Sequence, residues 1–268
     1  MGIFSGVLLV SDFDDTLSSS GSAVSEGNRR ALDYFVREGG RFTVATGRAH
    51  ATMAPVAHLA PINAPVVLSN GSGLYDFQTD RMIYETFLPH RVAQDMAQVC
   101  AAFPSLGFES YHGDDIYAWN PNQVTWSHLR RARAVCTQCA VEKMPLPWSK
   151  AILQQEHPLL LEAQAWLLGR YGDRYEAIFS NQYYLEVTRK GSTKGGMVDR
   201  LVEHLGVDPG KLYCVGDNQN DIPMLERSAI PFAPANCAQE VKDWGARVLC
   251  HCDDGVIGDI VDILDGIY

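Results

Sequence analysis

Short apolar runs that stop abruptly in a polar motif recur at both ends of this chain, and that rhythm restricts its fold more than any other feature. Residues 7–11 end in Asp-Phe-Asp-Asp-Thr, residues 41–45 in Thr-Gly-Arg, residues 66–69 in Asn-Gly, and residues 212–215 in Gly-Asp-Asn-Gln-Asn-Asp. Helical stripes lie between them. Ser25 caps a predicted helix over 25–37, with Val24 as its staple and Ala31, Leu32 and Phe35 on one face. Met197, Val198, Leu201, Val202 and Leu205 line another over 193–205, which Gly206 ends. A run at 229–233 precedes a last helix over about 255–267, with Val256, Ile257, Ile260, Val261 and Leu264 on one face. Strand, helix, strand in this order predicts an α/β fold built on a doubly wound parallel sheet.

The middle of the chain reads differently. A helix after Pro89, two short runs within 109–118, a helix over 123–133, a run at 151–155, a helix over 158–171 and paired runs at 176–180 and 183–187 make an α+β pattern. Residues 87–187 are therefore expected to form an inserted domain, and residues 1–86 with 188–268 the core.

With 46% hydrophobic residues in a chain of 268, disorder is excluded as the main state. The net charge of −10 disfavours nucleic acid and anionic membrane as partners. A small anionic substrate stays possible where a cation and a few placed basic residues cancel the local repulsion. Seven cysteines, an odd number spread along the chain, do not form a secreted disulfide framework, so a cytoplasmic location is expected. The apolar start is too short and too poor in positive charge for a signal peptide or a membrane span, and Gly6 stands where the myristoylation pattern needs Ser or Thr.

The polar motifs fall where open α/β sheets bind ligands, outside the carboxyl ends of the strands. Asp12 and Asp14 stand two residues apart after the first run, and close carboxylates in a dry crevice need a cation or a proton. Asp217, Asn218 and Asp221 bring further oxygen ligands to the same edge, a set that suits Mg²⁺. Thr46 offers a hydroxyl and Gly47 an amide for phosphate oxygens, and Lys194 opens a helix with a positive charge.

These motifs resemble, in order, those of the haloacid dehalogenase superfamily of phosphohydrolases, in particular the Cof-type, type IIB members with a large inserted cap. The segments that carry the resemblance are the Asp12 motif, Ala45-Thr46-Gly47-Arg48, Ser69-Asn70-Gly71, Ser192-Thr193-Lys194-Gly195 and Gly216-Asp217-Asn218-Gln219-Asn220-Asp221. The resemblance implies a Rossmann-like core and a C2-type cap. It implies that Asp12 is the nucleophile that forms an aspartyl-phosphate, and that Asp14 protonates the leaving oxygen and then activates water. That second role calls for surroundings that raise the Asp14 pKa. Mg²⁺ is then held by Asp12, the Asp14 carbonyl and Asp217, with Asn218 and Asp221 nearby, and phosphate by Thr46, Gly47, Lys194 and Asn220. Asp15 and Ser72 depart from the family's usual glycine and alanine, neither at a catalytic position. Lys190 is a weaker rival of Lys194.

The implied activity is Mg²⁺-dependent hydrolysis of a small phosphomonoester such as a sugar phosphate. Alternatives are a phosphotransferase or mutase using the same aspartyl-phosphate, or a non-catalytic metabolite-binding module. Arg48 and Asn70 in the core, and His112 and Trp119 near a cap hairpin with Tyr111, Asp114 and Asp115, are expected to meet the leaving group. Cys136 with Cys139, and Cys250-His251-Cys252, read as ordinary thiols, and Arg130, Arg131 and Arg133 as a solvated helix face.

Overall fold

A computed structural model describes residues 2–18 and 23–268. The first part of the chain runs β1 (Leu8–Ser11), α1 (Glu26–Arg37), β2 (Arg41–Val44), α2 (His50–Met53), β3 (Val66–Leu68), β4 (Gly73–Asp76) and β5 (Arg81–Glu85). The middle adds α3 (Val92–Ala102), β6 (Gly107–His112), β7 (Asp115–Trp119), α4 (Gln123–Ala132), β8 (Thr137–Gln138), β9 (Lys150–Gln154), α5 (His157–Tyr171), β10 (Tyr175–Asn181) and β11 (Tyr184–Arg189). The last part supplies α6 (Lys194–Leu205), β12 (Leu212–Val215), α7 (Ile222–Leu225), β13 (Pro231–Ala233), α8 (Gln239–Trp244), β14 (Arg247–Val248) and α9 (Val256–Asp265).

The core sheet has the order β14-β13-β12-β1-β2, with every pair parallel. A parallel bridge from Ala45 to Val67 sets β3 beyond β2. With β1 central and fully buried, its carboxyl end and that of β12 face the same edge. Helices α1 and α9 cover one side through Leu32, Phe35, Ile257, Ile260 and Leu264, and α6 covers the other through Met197, Val198 and Leu201. Ser25 caps α1 by accepting the Asn28 amide, and Gly206 ends α6 at φ +63°, as the sequence predicts. A β3-β4-β5 antiparallel sheet was not expected; its β4 to β5 turn is held by Asp76, which accepts the Gln78 and Thr79 amides.

The insertion builds a second sheet, ordered β10-β11-β9-β6-β7-β8 and antiparallel except for its β7-β8 edge. Its strands alternate cleanly. Phe108, Ala151, Leu153, Leu185 and Val187 pack with α3 and α5 in one apolar cluster. The opposite face carries Glu109, Tyr111, Lys150, Gln154 and Glu186, all buried, and is turned toward the core. Strand β11 runs on to Arg189, two residues past the boundary drawn at 187. Among the described residues, no helix is long and apolar enough to cross a membrane.

Candidate active site

The parallel order brings the distant motifs to one cavity of about 140 Å³. From the core, Asp12, Asp14, Gly47, Arg48, Asp217, Asn218 and Asn220 line it. Asp12 leaves β1 with its amide bonded to Val215 of β12, which fixes the first acidic loop against the last. Thr193 caps α6 by accepting the Gly196 amide, so Lys194 begins the helix at a defined angle. The Lys194 side chain, 1% exposed, donates to Asp12 Oδ1 at 2.5 Å and to Asp221 Oδ1 at 2.6 Å. Gly71, at φ +99°, makes room for this helix start: a Cβ there would stand 2.1 Å from the Thr193 carbonyl oxygen.

Carboxylate oxygens of Asp12, Asp217 and Asp221 lie within 4.8 Å of one another. With all three acids ionised, the one ammonium would leave two negative charges without a partner. Burial above all, with Asp221 adding to it, pushes the Asp12 carboxyl up to about 7 against the pull of Lys194. Asp217 is driven well above the ordinary carboxylate range by burial and then by Asp12 and Asp221. Burial works to discharge Lys194, but Asp12 and Asp221 together outweigh it and hold the ammonium above its usual value. This donor set fits an oxygen-seeking divalent cation. Asp221 is the most committed member: its Oδ2 accepts the Asp217 and Asn218 amides at 2.9 and 3.0 Å, which shapes the loop. Thr16, missed from the sequence, donates to Asp217 Oδ1 at 3.1 Å.

Asp14 does not meet the expectation of surroundings that raise its pKa. Burial does push its carboxyl up, yet Arg48 binds both its oxygens, at 2.8 and 2.7 Å, and with help from Arg131 and Lys194 brings it below the usual value. Thr46 is buried with its hydroxyl accepting the Arg48 amide, and the Gly47 carbonyl accepts Lys150 Nζ at 2.8 Å. Asn220 donates to Asn70 Oδ1 at 3.0 Å, which pins the Asn70 amide. Asn70 Nδ2 is then buried without an acceptor, close to Gly47. Lys190 lies away from the site, paired with Glu176 at the surface.

The cap contributes other residues than those expected. His112 and Trp119 fall outside the cavity, because strand alternation turns both to the far side. His112 bonds the Pro147 carbonyl and Trp119 packs in the helix-side cluster. Their neighbours Tyr111 and Ile116 face the core. Asp114 docks on the core instead, accepting the Ala51 amide at the start of α2. The roof of the cavity is made by Tyr111, His128, Arg131, Lys150, Ser180, Asn181, Tyr184 and Glu186. Arg131 is not merely a solvated helix residue: it reaches Asp15 at 3.5 Å and Asp14 at 4.0 Å. Lys150 pairs with Glu186 at 3.0 Å and stands 4.6 Å above the Tyr111 ring. Only a three-dimensional docking of cap on core singles out these two cations.

A parallel core sheet with acidic strand ends, under an inserted cap that roofs them, defines a capped phosphoryl-transfer fold. The solved structure of the subclass IIB sugar phosphatase BT4131 superposes with a TM-score of 0.85 over 98% of this chain and 100% of that one, at 21% identity. A family model described as haloacid dehalogenase-like hydrolase matches residues 9–260, and the chain belongs to that family, among its Cof-type phosphatases. Curated relatives include the 5-amino-6-(5-phospho-D-ribitylamino)uracil phosphatase YwtE of Bacillus subtilis, 23% identical over 96% of this chain and 98% of the relative. The pyridoxal phosphate phosphatase YbhA of Escherichia coli is 23% identical over 86% of this chain and 88% of that protein.

Proposed function

We propose that this protein is a Mg²⁺-dependent phosphatase that cleaves a small phosphomonoester through a covalent phosphoryl group on Asp12. The observation that carries the reading is the close group of Asp12, Asp217 and Asp221, with Asp12 and Asp221 buried on Lys194, which one ammonium does not neutralise once all three are ionised. Asp12, the carbonyl of Asp14 and Asp217 would hold Mg²⁺, with Asn218 close by and Asp221 shaping the loop. When bound, Mg²⁺ supplies the positive charge that keeps Asp12 ionised and draws phosphate into an acidic cavity.

Asp12 attacks phosphorus in line with the leaving oxygen, and its lysine contact orients the attacking carboxylate. Thr46, the Gly47 amide, Lys194, Asn220 and the unpaired Asn70 Nδ2 take the phosphoryl oxygens, where charge spreads in the transition state. Asp14 enters ionised and oriented by Arg48, so taking a proton from water in the second step suits its surroundings. To give a proton to the leaving oxygen, it must first acquire one and loosen one arm of the Arg48 fork. The cap roof, Lys150, Glu186, Arg131, Tyr184 and Asn181 among it, would contact the leaving group and keep bulk water out. The names of the relatives point to phosphorylated sugars, ribityl compounds or pyridoxal phosphate as the substrates to try.

Phosphate release from a panel of such esters, with Mg²⁺ and with chelator, tests the reading. Release that needs the metal and takes one oxygen from labelled water is expected. Transfer of the phosphoryl group to a sugar hydroxyl, or no turnover on any ester, would overturn it.

A further inference from the structure

The Cys250-His251-Cys252-Asp253 segment lies at the start of α9, outside the catalytic cavity, and the reaction does not use it. Cys252 is buried, while the side chains of His251 and Asp253 are 44% and 56% exposed. Cys252 Sγ stands 3.6 Å from His251 Nδ1 and 3.7 Å from Asp253 Oδ1, and Nδ1 stands 3.6 Å from Asp253 Oδ2. One sulfur, one nitrogen and one carboxylate oxygen thus fall within 4.8 Å of one another. Zinc bond lengths of about 2.3 Å to sulfur and about 2.0–2.1 Å to nitrogen or oxygen, at tetrahedral angles, place ligand atoms about 3.3–3.6 Å apart. The sulfur stands at about that spacing from Nδ1 and from Asp253 Oδ1, and Nδ1 at that spacing from Asp253 Oδ2, so a turn of the exposed Asp253 carboxylate completes one face of such a tetrahedron.

From this geometry we propose that His251, Cys252 and Asp253 form a second metal site, separate from the Mg²⁺ site, for a borderline ion of the Zn²⁺ class. The mixed sulfur, nitrogen and oxygen set selects against Mg²⁺, which takes oxygen ligands. Binding removes the thiol proton and takes the Nδ1 lone pair that now accepts the Asp253 amide at 3.2 Å. That amide is at the surface and turns to water. The site is joined to the catalytic loop. The Cys252 amide donates to Asn236 Oδ1 at 3.1 Å, and Asn236 Nδ2 donates to the Asp15 carbonyl at 2.7 Å. An ion there would stiffen the support behind Asp15.

The test is titration of the full chain with Co²⁺ alone as probe, in saturating Mg²⁺ and with thiols reduced. The expected result is a thiolate-to-cobalt charge-transfer band that saturates at one equivalent. The band should vanish in Cys252→Ser and need roughly tenfold more Co²⁺ in Asp253→Asn. The oxygen ligands of the catalytic site cannot produce that band. Its absence from the parent protein, or its survival unchanged in Cys252→Ser, overturns the proposal. Asp253 is exposed, so Asp253→Asn decides the matter if Cys252→Ser does not fold; an unchanged Co²⁺ requirement there also overturns it.

Discussion

Arg48 reaches Asp14 with two guanidinium nitrogens while its own plane lies 5.1 Å from the Phe13 ring and its third nitrogen donates to the Thr52 carbonyl. A lysine at this position would keep the charge and lose the fork. Arg48→Lys should therefore lower kcat by about tenfold or more with little change in KM, read by steady-state kinetics. Asp14→Asn should cost about 10²–10⁴-fold with an alkyl phosphate and less with an aryl phosphate, whose leaving oxygen needs no proton. Equal losses for both would remove Asp14 from the acid role. Asp12→Asn should fold and show no turnover. At this scale the grouping of the core candidates was legible, because Asp12, Thr46, Asp217 and Lys194 each follow a strand or open a helix, and a parallel sheet gathers strand ends. The cap was not. His112 and Tyr111 are adjacent and both polar enough to face a cavity, and only the docking of the two units shows which face of the sheet is inward.

Helix α6 carries Lys194 to Asp12 and Asp221 from its first turn, where fraying would move the ammonium. Thr193 holds that turn, and Gly71 and Gly195 let the backbone pass close to its neighbours. Thr193→Ala should lose about 1 kcal/mol of stability, measured by urea unfolding, together with a fall in kcat. A stability loss at unchanged kcat would show that the Thr193 hydroxyl does not position Lys194. The elements of the core were readable from length and patterning, since four-residue apolar runs admit little but buried strands. The β4 and β5 pair was not: residues 73–85 mix apolar and charged positions without a strong period, and their pairing depends on β3.

Cap and core meet through a small apolar cluster, Ala49 against Tyr111, Ile116, Leu129 and Ile152, and through polar contacts: Lys150 on the Gly47 carbonyl, Arg131 on Asp15, and Asp114 on the Ala51 amide. Such an interface can part and re-form during turnover. Arg131→Ala should raise KM severalfold, and a surviving wild-type KM would take Arg131 off the substrate path. The cap also has an acid-sensitive point. Glu109 is buried, which raises its pKa, but His128, Gln154 and Tyr111 together hold it below the ordinary carboxylate value of 4.5. The unfolded chain then binds a proton before the folded one does, so this stability is present above pH 4.5 and is lost as pH falls through the lower folded value. Thermal unfolding followed against pH should show that loss in the parent protein and a flatter acid limb in Glu109→Gln.

The crowding of acids around Lys194 also sets an order of arrival. Before a cation binds, burial favours protons on Asp12 and Asp217, and the cation would displace them. The cation therefore comes first, and the ester enters a pocket that has gained positive charge and an ionised Asp12. Initial rates taken across both concentrations should then fit compulsory sequential addition, with ester unable to protect the metal-free protein from heat.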